Sequence, residues 1–212
     1  MICMWPVRAG LARGAVAVGL AVLALAGCAK GKTVETPGAT LGTAAPTTTT
    51  TDPYAIPNPI DAAYVNRVLA GLDAANGDVV RMVVATKTVP REAFDRLKAL
   101  YATDRLLNLT LDGLAQDLAR GFPGARAQPG NVTTTVTQLL SVKATCIFAK
   151  VARDYSRVSV SPLPSLDTQW VAVVPVDAGR DPSHFNPTRW SFSYEGFERG
   201  FIAPPQDPCA AS

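Results

Sequence analysis

Residues Gly130–Lys143 read GNVTTTVTQLLSVK, and this stretch decides how the chain folds. Before it, apolar residues recur every three or four positions. From Val132 onward they alternate with polar ones. The first spacing is typical of amphipathic helices and the second of half-buried strands. Helices followed by strands, without βαβ alternation, predict an α+β domain whose antiparallel sheet packs one face on helices.

Three helices are predicted before this stretch. Asn58 is suited to cap the first helix and Pro59 to its first position, while Asn76-Gly77 predicts an interruption. Pro90 opens the second helix, and a third follows it. The expected inward faces are Val65, Val68, Leu69, Leu72, Val79, Val80 and Val83 in the first helix, Phe94, Leu97, Leu100 and Tyr101 in the second, and Leu107, Leu111, Leu114 and Leu118 in the third.

About four strands are predicted from Val132 onward. After the first alternating run, Cys146–Val151 and the segment around Trp170–Val176 read as further strands. In the last strand, one side is expected to carry Trp190, Phe192 and Tyr194, and the other Arg189, Ser191, Ser193 and Glu195. One face of this strand is therefore predicted to be wholly aromatic.

This order of elements resembles the nuclear transport factor 2-like, or SnoaL-like, fold from roughly Asn58 to Phe197. The resemblance implies three N-terminal helices packed on a curved antiparallel sheet of about four strands, with a pocket on the concave face of the sheet. The segments Thr145–Phe148, Arg153–Tyr155 and Asn186–Cys209 also resemble uncharacterised actinobacterial lipoproteins. That family carries no known activity to transfer.

The N-terminus has the pattern of a bacterial lipoprotein signal. Arg8 and Arg13 precede a twelve-residue apolar run that ends at Leu25-Ala26-Gly27-Cys28. An uncleaved membrane anchor is the rival interpretation, but the run is too short to span a bilayer, and the small residues before Cys28 suit lipoprotein signal peptidase. We therefore expect residues 1–27 to be a signal peptide and Cys28 to be lipidated, which places the protein at the extracytoplasmic face of the cell membrane.

The mature chain divides into a tether and one domain. Residues 28–57 are rich in Thr, Pro, Gly and Ala and are predicted to be disordered, whereas residues 58–212 form a single α+β domain. Such a tether can also be O-glycosylated. Removing the two leader arginines lowers the formal charge from +3 to +1. Without a basic patch, nucleic acid is excluded as a partner, and membrane attachment has to come from the lipid.

The two remaining cysteines predict a disulfide. Cys3 is lost with the leader and Cys28 is acylated, which leaves Cys146 and Cys209 in an oxidising compartment. A metal site is the rival interpretation, but neither cysteine has a second Cys or His at ligand spacing.

The residues carry no catalytic set. His184 is the only histidine, and no G-x-S-x-G elbow, phosphate-binding loop or dinucleotide motif occurs. A glycosidase needs two carboxylates across a cleft, and the candidates are Asp154, Asp167, Glu195 and Glu198. The sequence does not say whether any two converge, and most such residues lie on solvated faces or in turns. No metal or cofactor is therefore expected.

Two functions remain open. We expect a non-catalytic accessory or binding module of the cell envelope whose surface consists of Trp170, Trp190, Phe192 and Tyr194 and takes an apolar ligand or an envelope protein. The simpler interpretation is that these rings pack beneath the helices. The alternative function is a SnoaL-like enzyme for a small hydrophobic substrate. Its acid or base would be one of Asp154, Tyr155, Tyr194 and His184.

Overall fold

A computed structural model describes residues 52–160, 166–197 and 205–210 of the 212-residue chain. Three helices come first and four strands follow. The helices are α1 (Ala62–Thr86), α2 (Arg91–Leu100) and α3 (Asp104–Ala119), and the strands are β1 (Thr133–Lys143), β2 (Cys146–Asp154), β3 (Leu166–Pro175) and β4 (Trp190–Phe197). The strands form one antiparallel sheet in the order β1-β2-β3-β4, which confirms the predicted α+β class.

Helix α1 differs from the sequence prediction at both its start and its middle. Its N-cap is Asp61, whose carboxylate accepts the Tyr64 amide at 2.7 Å, so the predicted cap at Asn58 is wrong. The helix also runs through Gly77 without a break. A Cβ at Gly77 would collide with the Asn131 side chain, which accepts a hydrogen bond from Arg81. Gly77 is therefore present for close packing rather than for a turn.

The main core lies between the helices and one face of the sheet. Leu69, Leu72 and Val79 of α1 and Leu97 of α2 pack there on Val151, as the predicted helical stripes require. A hydrogen bond fixes the two layers, since the Val136 amide of β1 donates to Asn66 Oδ1 of α1 at 2.8 Å.

The linker between α2 and α3 covers part of the β4 edge of the sheet. Tyr101 forms a parallel bridge with Phe192 of β4, and the Ala102 amide donates to the Phe192 carbonyl at 2.8 Å. An edge strand that is covered in this way offers fewer unpaired backbone groups to other chains.

The predicted leader, Cys28 and residues 28–51 of the tether lie outside the described residues. The last tether residues already contact the domain. Tyr54 packs against the main core, and Asp52 pairs with Arg189 at 2.7 Å. Within the described residues, no helix is both long and apolar enough to cross a membrane.

Candidate functional site

A β-bulge in β4 changes which side chains face the helices. Val173 of β3 pairs with Phe192, and the preceding β3 residue, Ala172, pairs with Tyr194, so Ser193 is an extra residue in the ladder. An extra residue reverses the alternation of all side chains that follow it in the strand. Trp190 and Phe192 therefore face the helices, whereas Tyr194 faces the opposite side of the sheet.

The prediction of a single aromatic face is wrong for this reason. Trp190 lies in the main core, and its Nε1 donates to the Tyr64 hydroxyl at 2.7 Å. Phe192 lies there too, with its ring centroid 5.7 Å from that of Tyr101. Trp170 lies with Tyr194 on the other face of the sheet. Trp170, Trp190 and Phe192 are at most 4% exposed, so they pack in the interior and form no joint surface.

The predicted disulfide is confirmed between Cys146 and Cys209, whose Cα atoms are 5.5 Å apart. It packs with Phe148 and Trp170 in a second, smaller core on the face of the sheet opposite the helices. The bond attaches residues 205–210 to the first residue of β2. Lys143 supports the same connection, since its Nζ donates to the Cys209 carbonyl at 2.6 Å.

The bulge also brings Glu195 inside, where it joins a buried polar group that we call the Arg153 cluster. The predicted outward direction of Glu195 is therefore wrong. One side chain of the cluster comes from α1, each of the four strands contributes one, and one more lies just after β2. Its members are Asp73 (α1), Thr134 (β1), Arg153 (β2), Tyr155 (just after β2), Gln169 (β3) and Glu195 (β4).

Arg153 holds the cluster together. Its Nη1 is 2.7 Å from Glu195 Oε1 and 3.3 Å from Gln169 Oε1, and its Nε donates to Thr134 Oγ1 at 3.2 Å. Its guanidinium carbon also lies 5.4 Å from the centroid of the Phe192 ring, within cation–π range. A planar guanidinium suits this position because its donors point in fixed directions toward several acceptors.

Asp73 is held less tightly than Glu195. Its Oδ1 lies 3.6 Å from Arg153 Nη2, and its Oδ2 is buried without a hydrogen-bond partner. The side chains of Arg153, Asp73 and Glu195 are 8, 5 and 4% exposed. A buried carboxylate oxygen that lacks a donor is costly, because it has lost its water without replacement.

The electrostatics follow from this geometry. Burial raises the pKa of Asp73, and the Arg153 charge and hydrogen bonds with Thr134 oppose this rise only in part. Burial alone would lower the pKa of Arg153, but Glu195 and Asp73 outweigh it and keep the guanidinium charged. Burial, reinforced by Glu195, also raises the pKa of the Tyr101 hydroxyl, which is hydrogen-bonded to Thr110. Asp73 is thus a carboxyl that burial pushes toward its neutral form.

Only one of the four predicted acid or base residues belongs to the cluster. The Tyr155 hydroxyl accepts a hydrogen bond from Gln169 Nε2 at 2.8 Å. His184 is exposed on the loop before β4 with a φ of 54°, and Tyr194 lies on the other face of the sheet. Asp154 accepts the Ser156 amide at 2.8 Å, and this bond lowers its pKa. Those three side chains do not converge with Tyr155.

Sequence reasoning missed Asp73, Arg153, Gln169 and Thr134, although a signal was present. Asp73 stands four residues after Leu69, within the apolar stripe of α1. The other three continue the alternation of buried positions in their strands, as Arg153 does after Ile147, Ala149 and Val151. A charged residue at a core position of an amphipathic pattern is the signal to look for.

In the described residues, no three His, Cys, Asp or Glu side chains come together as metal ligands. No protein-family model, no curated protein and no solved structure matches this chain.

Proposed function

We propose that this protein is a lipid-anchored, extracytoplasmic module of the cell envelope whose folded domain binds a ligand or partner without turnover. The anchor is Cys28, in the signal pattern Leu25-Ala26-Gly27-Cys28. The Cys146–Cys209 disulfide supports the location, because structural disulfides persist in oxidising compartments and are rare in the cytosol.

The finer fold belongs to the same proposal. Three helices that precede a four-stranded antiparallel meander agree with a nuclear transport factor 2-like cone. That resemblance implies a ligand site between the helices and the sheet. The Arg153 cluster lies on this face, since Asp73 of α1 meets residues from the strands there.

The observation that carries the binding function is the unpartnered Oδ2 of Asp73. Buried polar atoms in folded proteins nearly always have partners, and an exception calls for a specific explanation, of which a bound group that completes the site is one. Arg153 and Glu195 satisfy each other at 2.7 Å, which makes them a rigid support next to the open acceptor. Such an arrangement can hold a bound group in a fixed position beside Asp73.

One observation favours the second candidate, a SnoaL-like enzyme. Burial raises the pKa of Asp73, and a carboxyl that stays protonated in an apolar site can act as a general acid. Tyr155 would be its nearest partner among the predicted acids and bases, through Gln169 and Arg153. An enzyme would turn over a small hydrophobic substrate and lose that activity in Asp73→Asn protein that remains folded.

The anchor is tested by metabolic labelling with an alkyne-tagged palmitate. The wild-type chain should take up the label and Cys28→Ala should not. Cys3→Ala is the matched control, since Cys3 lies in the leader and should leave labelling unchanged. A wild-type chain without label, or Cys28→Ala protein that keeps it, would refute the lipoprotein assignment.

A further inference from the structure

The charges and hydrogen bonds of the Arg153 cluster indicate which kind of ligand group would complete the surroundings of Asp73. Three charged side chains of the described chain meet there, namely the carboxylates of Asp73 and Glu195 and the guanidinium of Arg153. Arg153 is committed to Glu195 at 2.7 Å, whereas its nearest approach to Asp73 is 3.6 Å. Ionised Asp73 is therefore the less compensated charge, and its Oδ2 accepts no hydrogen bond. A group that completes the site has to bring both a positive charge and an N–H or O–H donor.

The burial of the site limits the size of that group. The three charged side chains are 8% exposed or less, so a group that reaches Asp73 must be compact and must give up its hydration shell. A divalent cation fits poorly, because it demands several oxygen ligands, whereas Asp73 offers one carboxylate oxygen without a partner. A primary ammonium is compact, carries one charge and has three donors.

We propose that Asp73 is the binding residue for the primary ammonium group of a small amine, held between helix α1 and the sheet. Arg153 pairs with Glu195, which leaves Asp73 as the carboxylate that binds the ammonium group. Arg153 lies over the Phe192 ring, and the buried ring of Tyr101 packs against that same ring, with the two ring centroids 5.7 Å apart. This assignment deepens the proposed binding function and rests on it.

Three probes separate charge from hydrogen bonding in this site. Methylammonium brings a positive charge and N–H donors, tetramethylammonium brings charge alone, and acetamide brings donors alone. The two ammonium probes are added as chloride salts, and acetamide is added as the neutral compound, to the detergent-solubilised full chain. The reference for the salts is NaCl of equal ionic strength. A two-heavy-atom probe should bind with a Kd on the order of 10 mM at best, so concentrations up to about tenfold higher are needed. Methylammonium should raise the thermal unfolding midpoint most.

Variants assign the effect to one carboxylate. Asp73→Asn keeps the size of the side chain but removes its charge, and it should weaken methylammonium stabilisation at least tenfold. Asp104→Asn is the control, because Asp104 is an exposed carboxylate whose side chain is 79% accessible. Equal stabilisation of Asp73→Asn and wild type would overturn the assignment. So would stabilisation by acetamide that matches that of methylammonium.

A wild-type measurement keeps the test decisive if Asp73→Asn does not fold. In protein labelled with ¹³C at aspartate carboxyls, methylammonium should shift one carboxyl signal that titrates above the ordinary range, and should lower its pKa. Spectra that do not change with methylammonium would contradict the proposal. This failure is distinguishable from failure of the lipoprotein assignment, which is read from palmitate at Cys28 and is independent of Asp73.

Discussion

Arg153 of β2 and Glu195 of β4 form an ion pair at 2.7 Å inside the domain, although β3 separates their strands. The pair exists because the bulge at Ser193 turns Glu195 toward the helices, where Arg153 continues the buried face of its strand. Both side chains are at least nine-tenths buried. Removing one partner of such a pair leaves an uncompensated buried charge.

We therefore predict that Arg153→Met destabilises the protein by about 3 to 5 kcal/mol, since the buried carboxylates of Asp73 and Glu195 then lose the guanidinium that lies beside both. Urea unfolding followed by circular dichroism measures this loss. Arg189→Met is the control because the Arg189–Asp52 pair is exposed, and its free energy of unfolding should change far less. Equal losses in the two variants would contradict the buried-charge explanation.

The raised pKa of Asp73 predicts a pH dependence with a definite sign. The folded state binds the Asp73 proton more tightly than the unfolded state. The stability that this proton contributes is therefore fully present below the ordinary pKa of an aspartate, about 3.9. It is lost as the pH rises through the pKa of Asp73 in the folded protein. The groups that face Asp73 are Arg153, Glu195, Thr134 and Tyr101.

Asp73→Asn removes this titration. The stability of wild type relative to Asp73→Asn should therefore be greatest at low pH and should decline as pH rises. Urea unfolding of the two proteins across the acid range measures the difference. A difference that is constant with pH, or that grows with pH in favour of wild type, is inconsistent with a raised pKa at Asp73.

The parts of the fold that depend on the spacing of nearby residues could be predicted from the sequence, whereas those that depend on distant contacts could not. The α+β class and the three helices were accessible because the spacing of apolar residues is a local feature, and the disulfide was accessible from the number of cysteines that remain after the leader. The aromatic face was not, because one extra residue at Ser193 reverses the alternation and no turn residue marks it. Gly77 misled the prediction of α1, since its reason is a contact with Asn131, distant in sequence.

We predict that the disulfide contributes about 4 kcal/mol to stability, because Cys146 and Cys209 are separated by 63 positions and closing so long a loop removes much unfolded-state entropy. The Cys146→Ser, Cys209→Ser double variant avoids a stray thiol and should show this loss in urea unfolding. Reductant should destabilise wild type and leave the double variant unchanged. A double variant as stable as wild type would show that the bond contributes nothing.

The two faces of β4 predict different costs for truncating an aromatic ring. Phe192→Ala removes a ring that is 1% exposed in the main core and should cost about 3 to 5 kcal/mol. Tyr194→Ala, on the opposite and half-buried face, should cost less. Chemical denaturation of both variants compares the losses. A folded Phe192→Ala protein of near wild-type stability would mean that the ring does not serve the core.

Anchoring through Cys28 is tested most directly by mass spectrometry of the protein extracted from membranes. The mature N-terminal peptide should begin at Cys28 and carry acyl chains on that residue, since residues 1–27 are the predicted signal peptide. A peptide that begins before residue 28, or an unmodified Cys28, would contradict the assignment of this protein as a lipid-anchored module of the cell envelope.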